Sequence, residues 1–318
     1  MTHAAYKLSV LLVTYNHEKY IREALDGLFR QVLDEKIELV IADDGSSDNT
    51  LAIIREYEGK DARFVFNFLE FNGNLGITKN YQRSFAACAG EYIAVLEGDD
   101  YWCSPLKLAR QIEFLENHWE CSLCSVNYLV YEEDRSQFTP RIPAGTSYKM
   151  IGARDLIADN LVGNFSTCLY RKSALDALPP ALFDIRSYDW IVNICISRSN
   201  LIGFLEEPMS VYRLHSKGVW TQTSHVNQLK IQLEVIPAYD ALTNHVFHYE
   251  FEVLASRLRH VIASSQVEHA VEAVVQPVVR ALPGFIDYIP QFVMRFLRAV
   301  MPVRFKRALL KALYRRSS

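Results

Sequence analysis

Glu97, Asp99 and Asp100 crowd one point of the chain, directly after the short apolar run Tyr92-Ile-Ala-Val-Leu96. In an open α/β sheet the C-terminal end of such a strand is where ligands bind. Neighbouring carboxylates repel and are costly to desolvate unless positive charge sits among them. A divalent cation carrying a phosphorylated ligand would supply that charge. The plainer reading is a solvated acidic turn that caps the next helix. Two other loops carry compatible groups, Thr14-Tyr-Asn16 and Asp43-Asp44. Tyr15 offers a flat face for a base, and Asp43 or Asp44 can accept from a ring N–H or a ribose hydroxyl. Asp99 can hold a metal that bridges two phosphates. Together these groups describe a nucleotide-diphosphate site.

The elements that must position these groups follow from periodicity. Leu8-Ser-Val-Leu-Leu-Val13 reads as a buried strand, and Asn16 is expected to open a helix with Ile21, Ala24, Leu25, Leu28 and Phe29 on one face. Ile37–Ala42 is a second strand, Arg63–Asn67 a third and Tyr92–Leu96 a fourth, with helical patterns after residues 50, 77 and 104. Ser104-Pro105 is a cap followed by proline at the first helical position. Alternation of this kind predicts a parallel sheet covered on both faces. Further along, strands are expected at 122–131, 164–170 and 203–212, a loop at 132–147 and a helix from Ser187. From residue 227 onward the pattern is helical.

Composition and missing motifs narrow the function. The 318 residues are 50% hydrophobic and 22% charged, with a net charge of −3, which suits a globular protein and gives no footprint for nucleic acid. The six cysteines form no disulfide framework, and Cys121-Ser-Leu-Cys124 lacks the second pair a zinc site needs. No window is apolar for long enough to span a bilayer, and the first residues lack a signal-peptide pattern. A cytoplasmic protein is expected, with peripheral attachment to the inner face of the cytoplasmic membrane as a further expectation. The loop after the first strand holds no glycine, which excludes the dinucleotide fingerprint, and no G-x-x-x-x-G-K-[ST] occurs.

Four segments carry a resemblance: Ser9-Val-Leu-Leu-Val-Thr-Tyr-Asn16, Val40-Ile-Ala-Asp-Asp-Gly-Ser-Ser-Asp-Asn-Thr50, Asn72-Gly-Asn-Leu-Gly76 with Lys79-Asn80, and Gly90-Glu-Tyr-Ile-Ala-Val-Leu-Glu-Gly-Asp-Asp-Tyr-Trp102. In order and spacing the chain resembles a family-two glycosyltransferase with the GT-A fold, over roughly residues 6 to 220. The resemblance implies an α/β fold, with a mostly parallel sheet flanked by helices and a helical C-terminal extension. It also implies metal-dependent transfer of a sugar from a nucleotide-diphosphate donor to a hydroxyl, with inversion. A UDP-sugar is the favoured donor, Mn²⁺ or Mg²⁺ the cofactor, and a glycan or lipid-linked glycan the acceptor, in surface polysaccharide synthesis.

Carried over residue by residue, the resemblance puts Thr14, Tyr15, Asn16, Glu18, Asp43, Asp44, Gly76, Lys79, Glu97 and Gly98 around the nucleotide-sugar. The family's Asp-x-Asp motif begins here with Glu97 and ends with Asp99, the expected metal ligand. Lys79 stands where arginine is usual and loses the bidentate fork. Asp189, in Ser187-Tyr-Asp-Trp190, matches the base, although tyrosine replaces the preceding acid. An aspartate in a first helical turn is also ordinary dipole complementation. His215, in Tyr212-Arg-Leu-His215, matches a histidine that approaches the metal. Asp100, Arg213 and Lys217 are further metal or phosphate candidates, and Trp102, Trp190 and Trp220 are candidates to stack on an acceptor sugar.

The expected division is a catalytic domain at 1–225, with a nucleotide half at 1–102 and an acceptor half at 103–225, and an extension at 226–318. The end of that extension, 292–318, has eight lysines and arginines and no acid, on an amphipathic pattern. It reads as an interfacial membrane anchor or as a helix packed on protein. A sugar-phosphate nucleotidyltransferase would need a glycine-rich basic loop after the first strand, where Thr14-Tyr-Asn16 stands instead. A non-catalytic nucleotide- or membrane-binding module is the remaining alternative, and retention of Asp99, Asp189 and His215 argues against it.

Overall fold

The first strand is apolar on both faces because it is central, with a parallel neighbour on each side. The computed structural model describes residues 5–70, 73–186, 188–216, 218 and 223–281, with side chains described through residue 265. Lys217, Trp220 and the tail at 292–318 lie outside the described residues. The elements run β1 (Tyr6–Thr14), α1 (Ile21–Phe29), β2 (Ile37–Asp43), α2 (Thr50–Arg55), β3 (Phe64–Phe68), α3 (Ile77–Ala87) and β4 (Gly90–Glu97). They continue as β5 (Tyr101–Trp102), α4 (Lys107–Asn117), β6 (Cys121–Glu132), β7 (Gln137–Pro140), β8 (Tyr148–Ile151), α5 (Ala153–Ala158) and β9 (Cys168–Arg171). Last come α6 (Lys172–Asp176), α7 (Asp189–Ile196), β10 (Leu201–Leu214), α8 (His225–Leu242) and α9 (His248–Ala281).

One sheet takes the order β3-β2-β1-β4-β9-β6-β10-β5, with β7 on β6 and β8 on β10. The predicted parallel arrangement holds from β3 through β4, and β6 pairs β10 in parallel. Between these blocks β9 runs antiparallel to both β4 and β6. The reversal has a local cause. A 3₁₀ turn at Phe165–Thr167 starts β9 at the same end of the sheet where β4 finishes. There the Ser166 hydroxyl accepts the Glu97 N–H at 3.1 Å and donates to Asp100 Oδ2 at 2.7 Å.

Two expectations need correction. Asn16 does not open α1; it adopts φ 55°, a left-handed conformation asparagine tolerates. Its side chain accepts the Ser47 N–H at 2.8 Å, and the helix begins at Ile21. The segment 132–147, expected as a loop, contains a 3₁₀ turn at Glu133–Arg135 and the edge strand β7.

The core is built from the apolar faces of β1, β2 and β4 with α1, and from Leu108, Ile112 and Leu115 of α4. Ser9 is a buried polar residue in the middle of β1. Its hydroxyl donates to Glu38 and accepts the Gly90 N–H, so burial leaves no group of this trio unmet. The chain divides into one unit of 1–223 with 235–251, and a second of 224–234 with 252–318. The expected boundary at 225 lies beside the first break, but Val235–Phe251 belongs to the first unit. No described helix is long and apolar enough to cross a membrane.

Candidate active site

Register alone brings the three loops together. Thr14 pairs with Asp43, and Val13 pairs with Glu97, so the C-terminal ends of β1, β2 and β4 lie abreast. Backbone bonds continue the alignment past the strands, from Asp44 N to Thr14 O (3.0 Å) and from Gly98 N to Val13 O (2.9 Å). The segment after β1 is laced to the segment after β2. Asn16 N–H donates to Ser46 Oγ, His17 N–H to Thr50 Oγ1 and Glu18 N–H to Asp48, while Glu18 accepts from the Asn49 backbone and side chain. Tyr15 is left exposed at the mouth, 49% accessible.

Asp43 and Asp44 are buried and divide their work. Asp43 accepts Gly45 N–H (3.0 Å) and Ser46 N–H (2.8 Å), a cap on its own turn. Asp44 reaches outward and accepts Leu75 N–H (2.8 Å) and Gly76 N–H (2.9 Å). Gly76, with φ 74°, turns the chain into α3 at this point. Lys79, half-exposed on α3, pairs with Asp184 at 2.8 Å.

The acidic tip of β4 is sorted by its partners. Asp99 Oδ2 lies 3.1 Å from His215 Nε2 and 3.8 Å from His17 Nε2. Burial works against its charge, yet the His215 hydrogen bond and the nearby imidazoles hold the Asp99 carboxyl below the usual range. Burial, with Asp100 and Asp99 adding repulsion, pushes Glu97 well up, and Tyr81 O–H donates to it at 3.0 Å. Burial likewise pushes Asp100 up. Gly98 must be glycine-sized: a Cβ there would stand 2.8 Å from His17 Nδ1 and 3.0 Å from Thr14 Oγ1. Those two buried atoms have no hydrogen-bond partner.

Several predicted residues belong to the scaffold instead. Asp100, 1% exposed, has Oδ1 accepting Arg213 N–H at 3.0 Å and Oδ2 accepting from Ser166, which ties it to β10 and to the 3₁₀ turn before β9. Arg213 is equally committed. Its guanidinium donates to the Asp99 carbonyl (3.0 Å) and to Glu23, with Tyr20, Tyr101 and Tyr131 around it. It ties β10 to the acidic tip. Trp102 is fully buried beneath the Lys107 ammonium, its indole N–H on Ser166 O, and offers no face to an acceptor. Trp190 is 8% exposed, donates to Leu156 O and packs on Tyr239, which also places it in the core.

Asp189 begins α7, where the helix N-terminus favours negative charge. Burial nevertheless pushes its carboxyl up to about 6, opposed by a hydrogen bond from Asn160 Nδ2 at 3.0 Å. Burial first, and then the charges of Asp100, Glu97, Asp99 and Asp189, raise the Tyr212 phenol far above its ordinary value. Two participants were not foreseen from sequence, His17 and Asn160. His17 stands three residues past β1, in the crevice-forming loop, and that position was a readable signal. Asn160 lies in an irregular segment with no such signal.

An open α/β sheet with an acidic strand tip, two imidazoles on one carboxylate and a second acid poised near neutrality defines a nucleotide-diphosphate-sugar transferase fold. The sequence matches Glycosyl transferase family 2 over residues 9–178, and the chain belongs to that family. It is 34% identical to the uncharacterised protein Rv1520 of Mycobacterium tuberculosis over 213 residues, 67% of this chain and 60% of that one. The matched region thus spans less than two thirds of that relative. Among solved structures, S. aureus TarS 1–349 in complex with UDP-GlcNAc superposes with TM-score 0.54 at 19% identity, covering 77% of this chain and 73% of that one. The mannosyltransferase PcManGT from Pyrobaculum calidifontis, in complex with GDP-Man and Mn²⁺, gives 0.54 at 14% identity, covering 98% and 88%. At these identities the likeness establishes the fold.

Proposed function

We propose that this protein is a divalent-cation-dependent inverting glycosyltransferase. Its donor is a nucleotide-diphosphate sugar, with UDP favoured, and its acceptor a hydroxyl of a glycan or lipid-linked glycan in surface polysaccharide assembly. The observation that carries this reading is Asp99 Oδ2 approached by both His17 and His215, with Glu97 and Asp189 in the same electrostatic surroundings. Family membership and the nucleotide-sugars held by TarS and PcManGT support it.

The donor set fits a cation. Asp99 supplies carboxylate oxygen and the histidines supply imidazole nitrogen, a mixture that suits Mn²⁺ better than Mg²⁺, which prefers oxygen and keeps its waters. When bound, the cation supplies a Lewis acid for the departing diphosphate. The chain's own residues do the rest. The Tyr15 ring stacks on the base. Each Asp44 oxygen keeps a lone pair beyond its backbone bond, available to a ring N–H. Lys79 meets phosphate after exchanging Asp184 for it. Glu97 and Gly98 lie beside the ribose and the sugar.

Asp189 takes the acceptor proton as the acceptor oxygen bonds to the anomeric carbon and the bond to the phosphate oxygen breaks on the opposite face. Nucleoside diphosphate leaves, the proton resides on Asp189, and the configuration inverts. Asn160 fixes which oxygen of Asp189 faces the acceptor. A panel of nucleotide-sugars with Mn²⁺, read by release of nucleoside diphosphate, tests the assignment; no donor-dependent release with any member would refute it. A cytoplasmic location with 292–318 resting on anionic lipid suits a lipid-linked acceptor, and co-sedimentation with anionic vesicles checks it.

A further inference from the structure

The turn between α8 and α9 gathers a second set of metal-type ligands. Asp240 lies in the last turn of α8, His245 in the connection and His248 at the first position of α9. One donor atom from each falls within 4.8 Å of the others. Both imidazoles direct Nδ1 at the same oxygen, Asp240 Oδ2, at 2.9 Å for His245 and 2.7 Å for His248. Asp240 is only 6% exposed, and its other oxygen, Oδ1, is buried without a hydrogen-bond partner. A buried carboxylate oxygen left unmet is costly.

The backbone is shaped to make this convergence possible. Asn244 and His245 take φ values of 54° and 58°, in the left-handed region. The turn is closed by His245 N–H on Asp240 O at 2.9 Å and by Thr243 Oγ1 on the same carbonyl at 2.9 Å. The result is that His245 folds back over the residue five positions earlier.

We propose that Asp240, His245 and His248 form a binding site for a zinc-type transition-metal dication, separate from the nucleotide-sugar crevice. Two imidazole nitrogens and one carboxylate oxygen are the ligands Zn²⁺ takes, whereas Mg²⁺ and Ca²⁺ call for oxygen throughout. Zinc bonds of about 2.0–2.1 Å at tetrahedral angles set donor atoms about 3.3 Å apart. Each imidazole therefore withdraws by about half an ångström from its present hydrogen bond, giving up the Nδ1 proton to solvent as the metal bond forms. The rings have room to do so, with side chains 66% and 64% exposed. Solvent completes the fourth position. Occupancy would clasp the end of α8 to the start of α9.

The test uses the full chain, stripped with chelator and titrated with Zn²⁺ by calorimetry, as wild type, His245→Gln/His248→Gln and Asp99→Asn. Expected is one zinc equivalent that survives Asp99→Asn and weakens at least about tenfold in the double-histidine variant, since even outer-shell changes command that range. Equal zinc binding by wild type and the double variant would overturn the site, as would wild-type uptake that vanishes wholly with Asp99→Asn. Should the double variant fail to fold, diethylpyrocarbonate labelling of wild type decides. Zinc must then protect His245 and His248 from modification, and unchanged labelling of both contradicts the proposal.

Discussion

At the scale of the residue, Asp189 is the group whose chemistry is most exposed to test. Burial raises its carboxyl from an ordinary 3.8 to about 6, which places the proposed base near the pH at which a general base works best. Turnover is expected to fall tenfold per pH unit below about 6, measured as kcat/KM against pH with the site's metal held constant. Asp189→Asn is expected to cost about 10²–10⁴ in rate while donor affinity, read by calorimetry, changes little. The same shift has a stability consequence with the opposite benefit. Between 3.8 and about 6 the unfolded chain has lost this proton and the folded chain has kept it. Stability from this group therefore declines as pH rises through that window and stays low above it. Asp189→Asn removes the buried charge, so it is expected to stabilise by about 1–3 kcal/mol at pH 8. The gain should vanish near pH 3.5, with denaturant unfolding at the two pH values as the measurement. Equal effects at both would mean the carboxyl is not perturbed by burial.

At the scale of the element, the crevice depends on how closely β1 and β4 approach. A Cβ on Gly90 would sit 2.4 Å from Ser9 N and 2.7 Å from the Leu8 carbonyl carbon, both backbone atoms that cannot step aside. Gly90→Ala is expected to lose about 2–3 kcal/mol or more in chemical denaturation, at the upper end of overpacking costs. Gly98→Ala meets side-chain atoms of His17, Thr14 and Ile21 instead. It is expected to displace His17 and weaken Mn²⁺-supported donor binding several-fold while costing less stability than Gly90→Ala.

Strands β1, β2 and β4 were legible because both faces of each are covered, leaving apolar runs such as Leu39-Val-Ile-Ala42. The motif loops were legible because the strand ends they follow were. The start of α1 was misread at Asn16, since asparagine serves as a helix cap and as a left-handed turn residue alike. The strand expected at 164–170 overlaps β9, but its start was placed too early because the 3₁₀ turn Phe165–Thr167 leaves the same apolar pattern as a strand, and its antiparallel direction was not readable. Arg213 and Asp100 looked like ligands by type. Only the tertiary pairing of β10 with β5, and the position of Ser166, shows the partners these two side chains already hold within the fold. Trp102 and Trp190 were ambiguous for a similar reason, since burial is not written in the residue type.

At the scale of the whole molecule, the acidic tip of β4 is a concentration of negative charge in a chain of modest net charge, −3. Three clustered carboxylates, two half-buried and one buried, hold a standing cost that a cation relieves. Mn²⁺ with nucleoside diphosphate should therefore stabilise the fold by about 2.7 kcal/mol at 100 times Kd, read as a melting temperature that rises with ligand concentration. Chelator should reverse the rise. Nucleotide alone should give a smaller shift, and Asp99→Asn should show little difference between nucleotide with and without metal.

The most direct measurement is calorimetric titration of a nucleoside diphosphate into the 318-residue chain, with Mn²⁺ and with chelator, for wild type and Asp99→Asn. Metal-dependent binding by wild type, lost on chelation and lost in Asp99→Asn, is the expected result. Binding that ignores both the chelator and the substitution would contradict the assignment of Asp99 as the anchor of the donor's diphosphate.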